Sequence, residues 1–296
     1  MSTLPRGIYP PLVTPFEDEA FKPEAFTSNI LKLNKTRLAG YVVLGSNGES
    51  AYLNNQEALE VIETAAQARS SDKALVVGTG RESTRATIEF TNQAARAGAE
   101  AALVVPPSYY RGAMTPAVLE AHYRAVADSC EIPILLYHVP KFSPVTFSPE
   151  MVADLSSHPR IIGMKDTSQD MVFLTRCLSD CPDDFSIYVG TANILLAGLT
   201  LGAAGGVLAL ANIAPDECTE LCELFEQGAV PEARTLQQKL LPVNQAVTVT
   251  YGIAGLKYAH DLLGMNGGGV RRPLQDLARD HHEDLKAILQ SGLGRP

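Results

Sequence analysis

Short apolar runs recur along the chain and alternate with longer amphipathic segments. The runs have the continuous hydrophobic character of parallel strands that are buried on both faces. Eight are present, at residues 8–13, 40–44, 74–77, 101–105, 133–137, 161–164, 186–189 and 206–210. Segments with helical spacing lie between most of them and begin with start signals such as Ser83, Thr115-Pro116 and Ser148-Pro149. The pattern therefore predicts strands that alternate with helices.

Alternating strands and helices are typical of right-handed βαβ units and a parallel sheet. Eight such units within residues 1–225 predict a (β/α)8 TIM barrel. An open, doubly wound sheet is the alternative, but it would carry a G-x-G-x-x-G motif, and Gly78-Thr79-Gly80-Arg81 lacks the third glycine. Residues 226–296 are predicted to form appended C-terminal helices that pack on the barrel flank or build a subunit contact.

Composition and charge narrow the classes of partner. The 296 residues are 46% hydrophobic and 19% charged, and the formal net charge is −9. Negative charge without a basic block argues against nucleic acid and anionic membranes as partners. No apolar run approaches the roughly 20 residues of a membrane span. Residues 1–6 resemble neither a signal peptide nor a transit peptide. We therefore expect a cytoplasmic protein, or a mitochondrial-matrix protein if a targeting segment has been removed.

The cysteines and histidines do not predict a metal site. An odd number of cysteines, five, is typical of a reducing compartment. Cys177 and Cys181 are four residues apart on a predicted helix, as are Cys218 and Cys222, which favours packing on a helix face. Since His and Cys do not cluster at zinc spacing, no metal is expected.

Lys165 is the candidate with the clearest chemistry. It follows the apolar run 161–164, so its ammonium is expected to be poorly solvated. Asp166 or Asp170 would hold the ammonium if the lysine were only a structural residue. Burial disfavours the charged form, however, and an unprotonated lysine attacks ketones and aldehydes. Tyr137 ends the preceding strand, and these two reactive side chains on consecutive strands together favour imine (Schiff-base) chemistry.

In a (β/α)8 barrel the active site lies at the C-terminal ends of the strands. The residues at those ends supply one amine, several hydroxyls, one imidazole and glycines that let backbone N–H groups approach a ligand. They are Thr14, residues 45–49, 78–81 and 106–111, Tyr137-His138, residues 165–167, and Gly190-Thr191. This set suits imine formation with proton transfer between oxygens. His138 is expected to be a structural imidazole rather than a general base.

Three motifs on this rim resemble those of the dihydrodipicolinate synthase / N-acetylneuraminate lyase superfamily of class I pyruvate aldolases. They are Gly45-Ser46-Asn47-Gly48-Glu49, where the family commonly has G-T-T-G-E; Tyr137-His138-Val139-Pro140, where it has Y-N-V-P; and Gly163-Met164-Lys165-Asp166-Thr167-Ser168, where it has G-I-K-D-S-S. The resemblance covers nearly the whole chain. Within the family, the first motif, Tyr109-Tyr110-Arg111-Gly112 and Met164 are most similar to 4-hydroxy-2-oxoglutarate aldolase, which produces pyruvate and glyoxylate.

The resemblance implies roles for single residues. Lys165 would form the imine with the 2-oxo carbon of a pyruvate-type acid, and no metal or organic cofactor would be required. Tyr137 would shuttle protons, and Ser46 would take the relay position between tyrosines. Ser46 and Asn47 would bind the carboxylate. Tyr110 would enter the neighbouring subunit's site, which implies a homotetramer built as a dimer of dimers. The other residues expected to bind substrate are Thr167, Gly190, Leu208 and Arg81.

One position departs from the pattern of dihydrodipicolinate synthases. Those enzymes follow Y-N-V-P with a small residue and then an arginine that binds the carboxylate of aspartate semialdehyde. Phe142 stands at that position here, and a phenyl ring cannot form arginine's bidentate pair with a carboxylate. The adjacent Lys141 is expected to point elsewhere. The candidates for binding a distal carboxylate are Arg81, Arg111, Lys141 and Ser143, and the sequence does not choose between them.

The expected reaction is therefore the cleavage of 4-hydroxy-2-oxoglutarate by a class I aldolase. One alternative is an aldolase or dehydratase for 2-keto-3-deoxy sugar acids, which shares the imine. Another is a dihydrodipicolinate (4-hydroxy-tetrahydrodipicolinate) synthase with a rearranged carboxylate site. A non-enzymatic alternative is an inactive barrel used as a binding module, which would require Lys165 to be inert.

Overall fold

Ten strands are present in residues 4–296, the part of the chain described by this computed structural model. They are β1 (Gly7–Tyr9), β2 (Phe16–Glu17), β3 (Ala20–Phe21), β4 (Gly40–Val43), β5 (Ala74–Gly78), β6 (Ala101–Val104), β7 (Ile134–His138), β8 (Ile161–Asp166), β9 (Ser186–Val189) and β10 (Gly205–Val207). Eight of them coincide with the predicted apolar runs. The antiparallel pair β2/β3 was not predicted, because two-residue strands leave no periodic signal.

The eight predicted strands form one parallel sheet in the order β1-β10-β9-β8-β7-β6-β5-β4. Its two outer strands also meet, since Ala39 N donates to Ile8 O at 3.0 Å and Val42 N donates to Pro10 O at 3.0 Å. Pro11 and Val42 form a parallel bridge at the same seam. The sheet is therefore closed, which confirms the (β/α)8 barrel and rules out the open sheet.

The helices follow the strands as the start signals predicted. They are α1 (Pro23–Leu33), α2 (Asn55–Ala68), α3 (Thr84–Arg96), α4 (Pro116–Ser129), α5 (Pro149–Ser156), α6 (Met171–Asp180), α7 (Leu195–Leu201), α8 (Pro215–Glu226), α9 (Val230–Gln245), α10 (Gly252–Leu262) and α11 (His282–Leu293). The side chains of Ser83, Thr115 and Ser148 each accept a hydrogen bond from a backbone N–H in the first turn of α3, α4 and α5. They satisfy donors that have no partner within the helix.

Alternation of side chains along the strands divides the core into two layers. The inward side chains form one cluster inside the barrel, which includes Tyr9, Leu135, Tyr137 and Tyr188. The rings of Tyr9 and Tyr188 meet edge to face, with centroids 5.5 Å apart. The outward side chains pack against the helices in a second, larger cluster. The interior is thus filled below the C-terminal rim, and the space that could hold a ligand lies at the rim.

The segment after α8 does more than pack on the flank. Pro242 lies inside α9, and a π-helix, Ala246–Thr250, connects α9 to α10. Proline removes a backbone donor, and π-turns are frequent at functional sites. Residues 247–249 and 251–254 reach the C-terminal rim of the barrel and line its cavity. Within residues 4–296, no helix combines the length and the apolar character needed to cross a bilayer.

Candidate active site

Lys165 and Tyr137 lie side by side at the ends of β8 and β7. The Lys165 Nζ is 3.3 Å from the Tyr137 hydroxyl oxygen and 4.4 Å from the centroid of its ring. Both residues are nearly buried, with 4% and 6% of their surface exposed. The amine and the phenol are therefore within hydrogen-bond range in a site that largely excludes water, which suits proton transfer between them.

A β-bulge brings the two side chains together. The β7/β8 register pairs Ile134 with Ile161 but Leu135 with Gly163, so Ile162 is an extra residue in β8. Because of this extra residue, Lys165 is the partner of Tyr137; without it, Met164 would take that place. Gly163 is required where β8 approaches β9, since an added Cβ would lie 2.3 Å from the Ser186 carbonyl oxygen.

The neighbouring carboxylates do not hold Lys165. The Asp166 carboxylate accepts hydrogen bonds from His138 Nδ1 at 2.9 Å and from the backbone N and the Oγ of Ser168 at 3.0 and 2.9 Å. Asp170 caps α6, because its Oδ1 accepts from two backbone N–H groups there. The ion pairs that a purely structural lysine would form are therefore not made by these two residues.

His138 is the last residue of β7, and its side chain lies outside the cavity. It is buried, and its ring centroid is 4.7 Å from that of Phe173 and 5.6 Å from that of Phe147. Its Nδ1 contacts Asp166, the register partner of His138 in the β7/β8 ladder. This imidazole links the two strands that carry Tyr137 and Lys165, in agreement with the structural role expected for it.

Ser46 lies on the other side of the Tyr137 hydroxyl from Lys165. Its Oγ is 3.4 Å from the Tyr137 hydroxyl oxygen, so Ser46, Tyr137 and Lys165 form a chain of polar atoms. Ser46 and Asn47 both line the cavity, on the 3-10 helix Ser46–Gly48 that follows β4. The arrangement places a hydroxyl and an amide in the same cavity as the amine.

A buried ion pair holds the loop that carries Ser46 and Asn47. The Glu49 side chain is fully buried and lies 2.5 Å from the Nζ of Lys257 on α10, whose side chain is 2% exposed. The other Glu49 oxygen accepts from the Arg271 backbone N at 2.8 Å, and Thr14 Oγ1 donates to Gly48 O at 2.8 Å. Burial lowers the pKa of Lys257, while Glu49 acts in the opposite direction. The loop is thus tied to the C-terminal segment.

Sequence reasoning had quoted Glu49 only as the last residue of a motif and had assigned no role to Lys257 or Arg271. Glu49 adopts a left-handed conformation, with φ of 54°, which is uncommon for a residue other than glycine. The signal available in the sequence was a charged residue at the end of a glycine-containing loop. Its partners lie far along the chain, and local patterns carry no information about them.

Thr167 and Gly190 stand at the ends of neighbouring strands and both line the cavity. Thr167 donates to the carbonyl oxygen of His138 from its backbone N at 3.0 Å and from its Oγ1 at 2.9 Å. Gly190 N donates to the Asp166 carbonyl at 2.6 Å. An added Cβ at Gly190 would lie 2.0 Å from Thr167 Cγ2, so the approach of these strand ends requires glycine.

Two residues expected to bind substrate lie outside the cavity, and so does Tyr110, which was expected to enter the site of a neighbouring subunit. Arg81 stacks on the Phe90 ring at 3.8 Å from its centroid and donates to Asn55 Oδ1 at 3.2 Å, so its guanidinium is already engaged. Leu208 is buried in the layer between barrel and helices. Tyr110 is 73% exposed, and its ring meets that of Tyr109 edge to face. Within one chain, the structure does not bring these side chains to Lys165.

The cavity above Lys165 has a volume of about 430 Å³, and most of its polar side chains are uncharged. Its side chains come from the strand ends and from the C-terminal segment, including Gln169, Asn193, Thr248, Tyr251 and Gln275. Asn193 is held by Asn244, whose Nδ2 donates to Asn193 Oδ1 at 2.7 Å and to Thr191 Oγ1 at 3.1 Å. These amides were not predicted, because no pattern marks an isolated Asn or Gln as part of a site.

The mouth of the cavity holds Lys141 and Phe142. Lys141 was expected to point elsewhere, and that expectation was wrong: it lines the cavity, and its Nζ donates to the Thr248 carbonyl at 3.0 Å. Phe142 is 57% exposed at the same place. Arg111 and Ser143, the other candidates for a distal carboxylate, do not line the cavity.

Comparisons with known proteins agree with this geometry. The model of the dihydrodipicolinate synthetase family matches residues 4–292. A 4-hydroxy-tetrahydrodipicolinate synthase of Methanothrix thermoacetophila is 35% identical over 286 residues, which cover 96% of either chain. The solved dihydrodipicolinate synthase of Bacillus anthracis superposes with a TM-score of 0.92 at 28% identity, covering 97% of this chain and 98% of that one. A monomeric dihydrodipicolinate synthase variant gives a TM-score of 0.93 at 26% identity, with 98% and 97% coverage. The barrel, the buried lysine and these matches together show that the chain belongs to the dihydrodipicolinate synthetase family.

Proposed function

We propose that this protein is a class I lyase that binds pyruvate as an imine on Lys165 and uses it to make or break a carbon–carbon bond. One observation carries the proposal: a nearly buried amine, a phenol and a hydroxyl form a continuous chain with contacts of 3.3 and 3.4 Å at the base of a cavity. An inert barrel would have no need for an amine that its neighbouring carboxylates leave free.

The chain of polar atoms supports each proton transfer. The neutral Lys165 Nζ attacks C2 of pyruvate, and the former carbonyl oxygen takes one proton from the attacking nitrogen and a second from Tyr137 before it leaves as water. The resulting iminium withdraws electrons, so C3 gives a proton to the Tyr137 phenolate and becomes the nucleophilic carbon of an enamine. That carbon attacks an aldehyde, whose oxygen takes up a proton as the bond forms. Addition of water to the imine then releases the product and restores the amine.

The proposed second substrate is aspartate semialdehyde, because the relative compared above is named a 4-hydroxy-tetrahydrodipicolinate synthase. The reaction expected first from the sequence, cleavage of 4-hydroxy-2-oxoglutarate, has no counterpart in the names of these relatives. It stays a second candidate on one observation, which is Phe142 at the cavity mouth where an arginine was expected.

We further propose that Tyr110 acts across a subunit interface in a dimer of dimers. Most of the surface of Tyr110, and of Tyr109 beside it, is exposed in one chain and would be covered in such an assembly. One of the similar solved structures is of a monomeric variant, so light scattering of the protein in solution is the direct test. A monomer with full activity would refute the role of Tyr110.

The five unpaired cysteines support a reducing compartment such as the cytoplasm.

Borohydride trapping tests the imine. The protein is incubated with pyruvate, reduced and digested, and the modified peptide is identified by mass spectrometry. We expect the adduct on Lys165 and no adduct in a Lys165→Arg variant, with Lys73→Arg as a matched control at another buried lysine. An adduct on a different residue, or none, would refute the proposed mechanism.

A further inference from the structure

The charges that line the cavity are unbalanced. Within residues 4–296, its lining includes two cations, Lys165 and Lys141, and no Asp, Glu or Arg. The protein as a whole carries a formal charge of −9, so this positive lining is a local feature. A site of this kind attracts anions and favours ligands whose charge matches its own.

The proposed function, on which this inference rests, accounts for one of the two cations. Pyruvate carries one carboxylate, and the iminium that Lys165 forms with it carries one positive charge. Ser46 and Asn47, which lie beside Lys165, are neutral hydrogen-bonding groups. The pyruvate adduct is therefore balanced by itself, and the charge of Lys141 is left for the second substrate.

We infer that Lys141 binds the carboxylate of the second substrate, and that this substrate is an aldehyde bearing a carboxylate rather than a neutral polyol aldehyde. The Lys141 Nζ donates to Thr248 O, and an ammonium has three donors, so two hydrogens stay available to a ligand. Thr248 belongs to the π-helix Ala246–Thr250, which lines the cavity. Lys141, which is anchored to the π-helix, thus takes the role that dihydrodipicolinate synthases give to an arginine at the position of Phe142.

The other polar groups agree with such a ligand. Of the four side chains considered for a distal carboxylate, only Lys141 lines the cavity. The amides of Gln169, Asn193 and Gln275 can donate to the aldehyde oxygen or to the second oxygen of the carboxylate. Glyoxylate and aspartate semialdehyde both satisfy this description, whereas glyceraldehyde, the product of a 2-keto-3-deoxy sugar acid aldolase, does not.

The test compares kcat/KM for glyoxylate, aspartate semialdehyde and glyceraldehyde, each with pyruvate, in the wild type and in Lys141→Met. We expect the wild type to prefer a carboxylate-bearing aldehyde. Because a hydrogen-bonded charge is removed, Lys141→Met should lose about tenfold or more on those substrates and little on glyceraldehyde. Lys141→Arg keeps the charge and should retain most of the preference. Lys35→Met removes one charge from an exposed site after α1 and should change nothing.

Trapping with pyruvate and borohydride is run on the same variants. Equal losses on charged and neutral aldehydes in Lys141→Met would refute the inference, as would a wild type that forms the imine but prefers glyceraldehyde or uses neither charged aldehyde. The proposed function would survive each of these results, since the imine still forms. Absence of the imine in the wild type would refute the proposed function, and this inference with it. The ratio of the two charged aldehydes shows which of them is the substrate.

Discussion

Replacing Lys257 by methionine tests whether the buried ion pair positions the loop that carries Ser46 and Asn47, the residues expected to bind the carboxylate of pyruvate. Methionine keeps the length of the side chain and removes the ammonium, which leaves the Glu49 carboxylate buried with the Arg271 N–H at 2.8 Å as its remaining hydrogen-bond donor. The Lys257 hydrogen bond to the Gly269 carbonyl, at 2.6 Å, is lost as well. Removing one partner of a buried pair typically costs about 3–5 kcal/mol. We expect a loss of that size in the free energy of unfolding.

Single and double variants separate the free energy of the ion pair from the contributions of Glu49 and Lys257 taken alone. Glu49→Gln should cost less than Lys257→Met, because burial already lowers the pKa of Lys257 and the amine can lose its proton. In Glu49→Gln/Lys257→Met no buried charge of the pair is left unpaired, so the loss should be smaller than the sum by about 1–3 kcal/mol. Urea unfolding followed by circular dichroism measures these differences, since the chain has no tryptophan.

The enzymatic readout shows whether the pair also positions the loop. Because Glu49 lies on the same short loop as Ser46 and Asn47, two residues after Asn47, Lys257→Met should raise KM for pyruvate more than it lowers kcat. Lys73→Met is the matched control: this lysine is also nearly buried, but its partner Asp72 is exposed and stays solvated. It should cost about 1 kcal/mol and leave KM unchanged. Equal stability losses in the two lysine variants, or strict additivity in the double variant, would refute the role of the pair.

Three further perturbations test the catalytic strands and a buried histidine. Tyr137→Phe keeps the ring but removes the proton relay, so kcat should fall by about 10²–10⁴ in steady-state assays while the circular dichroism spectrum is unchanged; a smaller loss would show that another group moves the proton. Gly190→Ala should raise KM for pyruvate, and adding Thr167→Ser, which removes the contacting methyl, should reverse much of the effect; no reversal would show that this contact is not the cause. Burial, with a smaller contribution from Lys257, lowers the pKa of His260 from 6.5 to about 3. The unfolded chain therefore binds the extra proton first, and stability is lost as pH falls from 6.5 towards 3, by about 2 kcal/mol at pH 5. Urea unfolding of His260→Leu should show a weaker pH dependence in this range, and an unchanged slope would contradict the assignment.

The strands and their order could be predicted because the strands of a parallel barrel are buried on both faces and therefore appear in the sequence as continuous apolar runs. The same property placed Lys165 and Tyr137 on one rim. The bulge at Ile162, which makes them register partners, could not be predicted, since nothing in the run 161–164 shows which residue leaves the ladder. Sequence reasoning thus identified the two residues and their common rim but not the reason that they meet.

The outer half of the cavity was largely beyond sequence reasoning. Lys141 was one of four candidates for a distal carboxylate but was expected to point elsewhere than the neighbouring arginine position. Thr248, which accepts a hydrogen bond from its ammonium, lies on a segment assigned to the flank. Contacts between residues so distant in the chain depend on how the C-terminal helices fold back over the rim. Arg81 was misplaced for a related reason: it follows a strand end, but its guanidinium stacks on Phe90 of the next helix.

The division of the cavity between two parts of the chain has a consequence for specificity. The groups that form the imine stand on β7, β8 and the loop after β4, whereas Thr248, Tyr251 and Gln275 come from the C-terminal segment. Substitutions in that segment can change the acceptor without moving the reactive lysine, because the strand register is fixed within the barrel. The ion pair between Glu49 and Lys257 joins the two parts, so it is one contact through which a change in the C-terminal segment would reach the loop that carries Ser46 and Asn47. Since the imine groups stand on the barrel and Gln275 stands on the C-terminal segment, variants at Gln275 should alter KM for the aldehyde alone, while variants at Lys257 should alter KM for pyruvate.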